Sequence, residues 1–565
     1  MQTKEGSSLY SEEQQKDSES FLSSSSDSQN KSSSLEMPWR SLNSRKNVHF
    51  FECTHSERLS LMCTCVPGLE EIAAHEIRDK FQKLNGQWKD DENSSFSWFI
   101  HHIYCGYCDD ENSQRDDSKL SSSTMSEGNR EIVRIFERKD MKSMLQGKII
   151  VQFEFNNNIE SIFKTCIDAL LQCISIVKVH IMAYTLENIS FPSQGKSNQV
   201  ASNAINSHTD LVTEQIAEDE KKEREYERRL RDDPQFRYIM EIHQQFLSKS
   251  SCWRESLLKW MHMRNLLFAN KEEQQLQTIE HLKFRITAKR AGSHQFTSKE
   301  LSSYIGLLIS LKSIGSENAK IGQSWKADLS NYDLDIYSYL FFDTLFVCFT
   351  LCEENVCYET FSRNFRSDLL RNSTSLKPNI AYSLIQLANV REGDVFCDIC
   401  CGTGIPSLMA AHLYNHHRVH VICGDYSKEV LETTIYNMNL YVGRGNERLH
   451  LMSPLLWDFT QLPLQTASVD VICSNLPFGK QIGSHSLNKE IYPPMFRQIC
   501  RVLRPNGRAI LLTTEKHLMQ KLMSENKVFI ALNKRVSINQ GGSEVFVYIL
   551  DRKNREWFVK NDSTK

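Results

Sequence analysis

The stretch VFCDICCGTGIPSLMAAHL, Val395 to Leu413, decides the fold. A short apolar strand, expected over Val395 to Cys400, runs into a turn holding two glycines, and a helix is expected over Ser407 to His412. The same rhythm extends on both sides. A helix over Asn379 to Ala388 precedes it; a strand over Val419 to Gly424, a helix over Lys428 to Leu440, a strand over Val469 to Cys473, a helix over Tyr492 to Leu503 and a strand over Arg508 to Thr513 follow. Short apolar strands alternating with helices specify a doubly wound, mostly parallel sheet. Val528 to Ile538 and Ser543 to Leu550, around Gln540, Gly541 and Gly542, read instead as an antiparallel hairpin at one sheet edge. The run RLHLMSPLL, Arg448 to Leu456, reads as a third strand at the opposite edge, where unpaired backbone groups invite another chain unless the same chain covers them.

The ends of these strands carry the chemistry. In DICCGTG, Asp398 to Gly404, the glycines Gly402 and Gly404 let the backbone turn sharply and approach a ligand, and Cys400 lies in the same loop. The loop is not GxGxxG and lacks the GK[ST] ending, which weakens dinucleotide and nucleoside triphosphate readings. Asp398 suits a ligand with a positive amino group. Asp425, at the end of VHVICGD, stands where open α/β folds put an acid on a ribose diol. Asp458 offers an acceptor for an exocyclic amine, and Phe459 a wall for a base. Each acid reads equally as a helix cap; the ordered set favours an adenosyl group.

The fourth strand runs into Asn475-Leu476-Pro477-Phe478-Gly479. The Asn475 side-chain oxygen and backbone carbonyls held by Pro477 can accept hydrogen bonds from a planar NH₂ group, with Phe478 stacked on the attached ring. Alignment of nitrogen, methyl carbon and sulfur would then supply most of the rate, without a strong base. Alone, the segment is a turn that ends a strand; behind the loop and the acids it reads as catalytic.

The remainder of the chain is less regular. Met1 to about Asn47 is Ser-rich and too polar to offset its ordering entropy. From Leu59 a strand-like run, a Pro67-Gly68 turn and a helix over Leu69 to Ile77 open a small α+β region. It continues with strand candidates Glu131 to Phe136 and Lys148 to Phe155 beyond a polar stretch, Asp109 to Asn129. A helix around Ile159 to Val177 and a strand over Lys178 to Thr185 lead to a second polar insertion, about Asn188 to Gln277, which includes a mixed-charge helix over Glu218 to Asp233. Alternating sequence returns near Leu282, with a helix over Ser298 to Ile314 and strands over Tyr332 to Tyr339 and Thr344 to Thr350.

Composition sets limits. With 67 Lys+Arg against 70 Asp+Glu, no global positive charge announces nucleic acid, so any basic surface is local. No apolar run reaches the roughly 18 to 20 residues that span a bilayer, and the first residues do not read as a secretory signal, so an intracellular protein without a membrane partner is expected. The 17 cysteines then read as reduced thiols. His101, His102, Cys105 and Cys108 form one compact cluster, but structural zinc usually takes two separated pairs, so unpaired thiols are the expectation and no metal is assigned. Cys397 and Cys400 read as core residues.

DICCGTG, GDYS and NLPFGK resemble motifs of class I S-adenosylmethionine-dependent methyltransferases that modify exocyclic amines. FRITAKRAGSHQFTSKELSSYIG and WKADLSNYDLDIYSYLFFDTLFVCFTL resemble the second half of a THUMP domain, an RNA-binding module. With KPNIAYSLIQLA between them and the catalytic core, the order is similar to that of the THUMP-domain RNA guanine-N(2) methyltransferases, over roughly Arg58 to Arg552.

The resemblance implies a tail at 1–57, a ferredoxin-like α+β domain at 58–165, and a THUMP domain at 166–352 split by the insertion at about 188–277. A linker at 353–376, a Rossmann-like methyltransferase domain with a seven-stranded sheet at 377–553 and a tail at 554–565 follow. It implies S-adenosyl-L-methionine as cofactor and a structured transfer RNA or spliceosomal small nuclear RNA as substrate. Arg285, Lys289, Arg290 and Lys326 are the candidate phosphate contacts, although charge alone reads as a solvated strand face. It also implies a small zinc-containing activator subunit on the edge strand, and a nuclear or cytoplasmic location, leaning nuclear. Many relatives carry Asp where Asn475 stands. A protein glutamine methyltransferase, or an RNA-binding scaffold with an inactive methyltransferase half, are the competing functions.

Overall fold

The computed structural model describes residues 58–88, 96–104, 132–135, 147–155, 159–186, 251–267, 276–292, 294, 296–310, 325–341, 344–352, 375–414, 418–442, 452–479, 484–540 and 543–555. The Ser-rich N-terminal stretch, the expected charged helix, Cys105, Cys108, Leu449 and Leu451 lie outside these residues, as do the side chains of His101 and His102.

The first half is built on one nine-stranded sheet. Its elements are β1 (Arg58–Cys65), α1 (Glu70–Trp88), β2 (Phe96–Tyr104), β3 (Ile132–Ile135), β4 (Lys148–Phe155), α2 (Ile159–Leu171), β5 (Ile176–Leu186), α3 (Ser251–Leu267), β6 (Lys283–Ala291), α4 (Ser298–Ser310), β7 (Lys326–Ala327), β8 (Leu334–Phe341) and β9 (Thr344–Cys352). The strand order is β3-β2-β4-β1-β5-β9-β8-β6-β7. Antiparallel pairing of β5 with β1 on one side and β9 on the other makes the sheet continuous across the two regions expected at 58–165 and 166–352.

Apolar spacing explains the helices. Ala73, Ala74, Ile77 and Phe81 lie three and four residues apart on α1 and are fully buried against the sheet. Helix α2 ends at Leu171, earlier than expected, because buried Glu76 takes the N–H groups of Ile174 (2.8 Å) and Ser175 (2.9 Å), turning the chain into β5. The stretch expected as an insertion contains α3. Its Trp253, Leu257, Trp260 and Met263 belong to the core, and the Trp260 indole donates to the Thr350 carbonyl at 2.8 Å.

The second half comprises α5 (Pro378–Ala388), β10 (Val395–Asp398), α6 (Ile405–Leu413), β11 (His420–Asp425), α7 (Lys428–Val442), β12 (Met452–Leu456), a 3-10 turn (Phe459–Gln461), β13 (Val469–Asn475), α8 (His485–Val502), β14 (Leu503–Thr513), α9 (Lys516–Glu525), β15 (Ile530–Gln540) and β16 (Ser543–Arg552). The order β12-β11-β10-β13-β14-β16-β15, parallel except for β16, which runs antiparallel to both β14 and β15, is the expected Rossmann-like class I methyltransferase sheet. Both faces are covered: Phe396 and Ile510 pack in one cluster, their neighbours Cys397 and Leu511 in the other. Helix α8 starts at His485, well before Tyr492, with Ser484 capping it by accepting from the Leu487 N–H at 3.1 Å. The strand expected from Arg448 is seen from Met452, at the sheet edge, with Leu455 and Leu456 exposed by 41% and 57%.

The two halves share packing. Val66 and Leu69, from the β1–α1 turn, belong to the same buried cluster as Leu384, Val536 and Ile538. The Lys534 ammonium pairs with Glu71 at 3.1 Å.

Candidate active site

The parallel strands β10, β11 and β13 deliver their C-terminal ends to one rim, where a doubly wound sheet places its ligands. Asp398 ends β10, but its carboxylate is fully buried beneath the loop. Ser474 Oγ donates to Oδ1 at 2.7 Å and Ser407 Oγ to Oδ2 at 3.3 Å. Burial, reinforced by the charge of Asp425, pushes the carboxyl up to about 7, against the pull of those hydroxyls and of the Cys400 N–H. Asp398 thus lies under the glycine loop, held there by the two serine hydroxyls.

Above it the backbone follows the glycines. Gly402 has φ +54° and Gly404 has φ +82°, conformations that suit residues without a Cβ. Gly404 also packs tightly, since a Cβ there would lie 2.7 Å from Thr434 Cγ2, whereas one on Gly402 would meet nothing within 4 Å. The loop is thus packed behind and open in front. Asp425 Oδ2 accepts from the Gly402 N–H at 3.0 Å and Oδ1 from the Ser427 N–H at 3.0 Å, so it ties the loop to the start of α7. Helix α7 supplies two clamps the sequence reading missed. Thr434 Oγ1 donates to the Gly402 carbonyl (2.6 Å) and Asn437 Nδ2 to that of Thr403 (3.0 Å). Their signal was two polar residues three apart on an otherwise mixed helix.

Asp458 caps the turn at Phe459, accepting from the Thr460 N–H at 2.8 Å and hydroxyl at 2.7 Å. Phe459 is partly buried against the core. Trp457, beside them, lies across Gly424 and donates from its indole to the Ile399 carbonyl at 2.9 Å.

Cys400 connects this loop to the next, its thiol donating to the Asn475 carbonyl at 3.3 Å. Burial raises the Cys400 thiol well above its ordinary range, which leaves it a neutral donor. Asn475 ends β13, and its Oδ1 is buried without a hydrogen-bond partner. A buried amide oxygen without a donor costs about 1–3 kcal/mol, a penalty that a donor from outside the chain would relieve. The Pro477 carbonyl accepts from both Tyr492 Oη (2.7 Å) and Asn488 Nδ2 (3.0 Å), so of the backbone carbonyls at this turn it is filled from within the chain. Phe478 packs at the edge of the α5 side of the core, and its carbonyl accepts from Thr514 Oγ1 at 3.2 Å. Gly479, at φ +71°, closes the turn.

The four candidate RNA contacts do not form one patch. Arg285 is held by Asp335 at 3.2 Å and lies 3.8 Å over the Tyr332 ring, so it is committed within the fold. Lys289 is exposed on the same strand, whereas Arg290 alternates to the other face and donates to the His294 carbonyl at 3.4 Å. Lys326 lies on the exposed edge strand, in register with Lys283. Among the described residues, no group of three or more His, Cys, Asp or Glu could hold a metal ion. No helix among them is long and apolar enough to cross a membrane.

Residues 363–542 match the family model described as "RMKL-like, methyltransferase domain". The chain is 32% identical over 293 residues to the tRNA (guanine(6)-N(2))-methyltransferase THUMP3 of Mus musculus, covering 50% of this chain and 53% of the relative. It is 29% identical over 238 residues to the U6 snRNA (guanine-N(2))-methyltransferase THUMPD2 of Homo sapiens, covering 42% of this chain and 41% of the relative. Among solved structures, TrmN from Thermus thermophilus aligns with 18% identity and a TM-score of 0.45, covering 87% of this chain and 99% of that one. The chain spans about half the length of the curated relatives it matches. Residues 363–542 are thus similar to a methyltransferase domain, and the relatives named here carry guanine-N(2) methyltransferase names.

Proposed function

We propose that this protein transfers a methyl group from S-adenosyl-L-methionine to the exocyclic 2-amino group of a guanosine in a structured RNA. The observation that carries the reading is the buried, unpartnered Oδ1 of Asn475 at the end of β13, on the same rim as the glycine loop. The cofactor fits that loop, which is open in front of Gly402 and carries Asp425 at its side. When bound, it supplies a methyl group on positively charged sulfur.

This chain's residues do the remainder. Asn475 Oδ1 accepts one N–H of the amine and orients the nitrogen lone pair toward the methyl carbon. Phe478 and Phe459 supply apolar walls for the guanine and adenine rings. The methylated nitrogen passes its surplus proton to water, so no strong base is required. Asp398 lies under the loop and balances positive charge when it ionises.

The nine-stranded sheet, including a THUMP-type module within 166–352, holds the RNA. Exposed Lys289 and Lys326, with Lys283 beside Lys326, are the phosphate contacts, and Arg290 lies on the other face of the strand. The names of the relatives, a tRNA and a U6 snRNA methyltransferase, support a structured RNA and a nuclear location. The apolar edge strand β12 receives a small zinc-containing activator subunit by strand addition; loss of co-purification after charged substitutions at Leu455 and Leu456 tests it. Crosslinking the full chain to cellular RNA, with mapping of the methylated guanosine beside the crosslink, tests the whole reading. Crosslinks without any N(2)-methylguanosine would overturn it.

A further inference from the structure

Two donors from α8 converge on one backbone atom of the loop. Tyr492 Oη and Asn488 Nδ2 both reach the Pro477 carbonyl, at 2.7 and 3.0 Å. The directions of these bonds are fixed by their neighbours. The single Tyr492 hydroxyl hydrogen goes to the Pro477 carbonyl, which can only accept, so Thr513 Oγ1, 2.9 Å from Tyr492 Oη, donates to the tyrosine while accepting from the Glu515 N–H (3.1 Å). Burial pushes the Tyr492 hydroxyl far up, keeping it a neutral donor. Asn488 Nδ2 gives its second hydrogen to Glu515 Oε1 at 2.9 Å, and that oxygen also receives His485 Nδ1. Because the Pro477 carbonyl and the Glu515 carboxylate are both acceptors, the Asn488 amide has only one satisfactory orientation.

That orientation leaves Asn488 Oδ1 buried without a partner, on a residue with no exposed surface. A residue needed only to fill space at the foot of α8 would be apolar; an amide half unsatisfied in the interior is a cost that its donor side must offset. What it fixes is the Pro477 peptide, two residues beyond Asn475. The loop is held further by Thr514, on the Phe478 carbonyl.

We propose that Asn488, Tyr492 and Glu515 are positioning residues for methyl transfer: they lock the Pro477 peptide and so hold the loop with the Asn475 side-chain oxygen toward the substrate amine. This rests on the reading of the loop as an amine methyltransferase site. None of the three touches the reacting atoms. A loop free to swing by about 1 Å would misalign the amine at a cost of up to about 100-fold in rate.

The test uses the full chain, with transcribed transfer RNA and U6 small nuclear RNA as probes. Tyr492→Phe and Asn488→Asp are expected to lower kcat about tenfold or more, with KM for RNA and calorimetric affinity for S-adenosylmethionine within about twofold of the parent. The carboxylate introduced by Asn488→Asp can donate to Pro477 only when protonated. Its activity relative to the parent therefore rises as pH falls from about 8 to 6, with Glu515, His485 and neutral Tyr492 present in both proteins and so divided out. Deuterium exchange over 475–479 is expected to accelerate about tenfold in Asn488→Ala, confined to that segment. Unchanged kcat and exchange, or kcat, cofactor affinity and melting temperature falling together, would overturn the positioning role. If the parent methylates neither RNA, the site reading fails, while the exchange result still decides the brace.

Discussion

Gly68 faces the backbone carbonyl of Ser537 so closely that a Cβ on it would lie 2.2 Å from that oxygen. With φ +91° it also occupies the left-handed region, so the contact between the β1–α1 turn and strand β15 requires glycine twice over. On the far side of the turn, buried Glu70 receives the N–H groups of Gly68 (3.0 Å) and Gly147 (2.5 Å), its carboxyl pushed up mainly by burial. The nine-stranded half is thereby seated directly on the seven-stranded sheet.

Gly68→Ala is therefore expected to loosen the seating of one half on the other. Calorimetry is expected to show a melting temperature lower by several degrees, since about 1–3 kcal/mol of clash and backbone strain enters. Methylation of RNA is expected to fall further than cofactor affinity. A variant with unchanged melting and transfer would show that the contact is dispensable.

Asp398 makes a pH prediction. Its carboxyl, raised to about 7 in the folded chain, stays protonated while the unfolded chain ionises. The folded state thus holds the extra proton, and this group's contribution to stability declines as pH rises from about 4 to about 7, then levels off. Asp398→Asn removes that decline. If the ionised carboxylate balances the cofactor's positive charge, affinity for S-adenosylmethionine strengthens by up to about tenfold per unit as pH rises toward 7 and is flat in the variant. Calorimetric titrations at pH 5.5 to 8 check this, and identical pH profiles for both proteins would remove Asp398 from cofactor binding.

Arg285 and Lys326 are predicted to behave oppositely. Asp335 is buried and takes Arg285 together with the hydroxyls of Thr287 (2.7 Å) and Thr350 (3.2 Å). Arg285→Ala is expected to destabilise the chain by about 2 kcal/mol by unpairing a buried carboxylate. Lys326→Glu, at an exposed edge, is expected to leave melting unchanged and to weaken RNA binding with a shallower salt dependence. Denaturant melts and filter binding at two ionic strengths separate the two.

How far the sequence is legible differs between the chain's parts. The ends of β10, β11 and β13 could be read because each functional side chain follows an apolar strand directly, where local pattern sets position. The brace could not. Asn488 and Tyr492 lie one turn apart on α8, but Pro493 and Pro494 follow at once and made the helix seem to begin at Tyr492. Helix α3 was hidden for another reason: Trp253, Leu257 and Trp260 have helical spacing, but charged sequence surrounds them, and only tertiary burial reveals their role. Which cations are free was equally out of reach, because Arg285 meets Asp335 across fifty residues of intervening chain.

The most direct test of the central claim is transfer of tritiated methyl from S-adenosylmethionine by the full chain, with and without the proposed activator subunit, to transfer RNA and U6 small nuclear RNA transcripts. Nucleoside analysis reads the product. The account predicts label in N(2)-methylguanosine for the parent, and a loss of about 100-fold or more in Asn475→Ala with cofactor affinity nearly intact. Label appearing in protein rather than RNA, or equal turnover in Asn475→Ala, would contradict it.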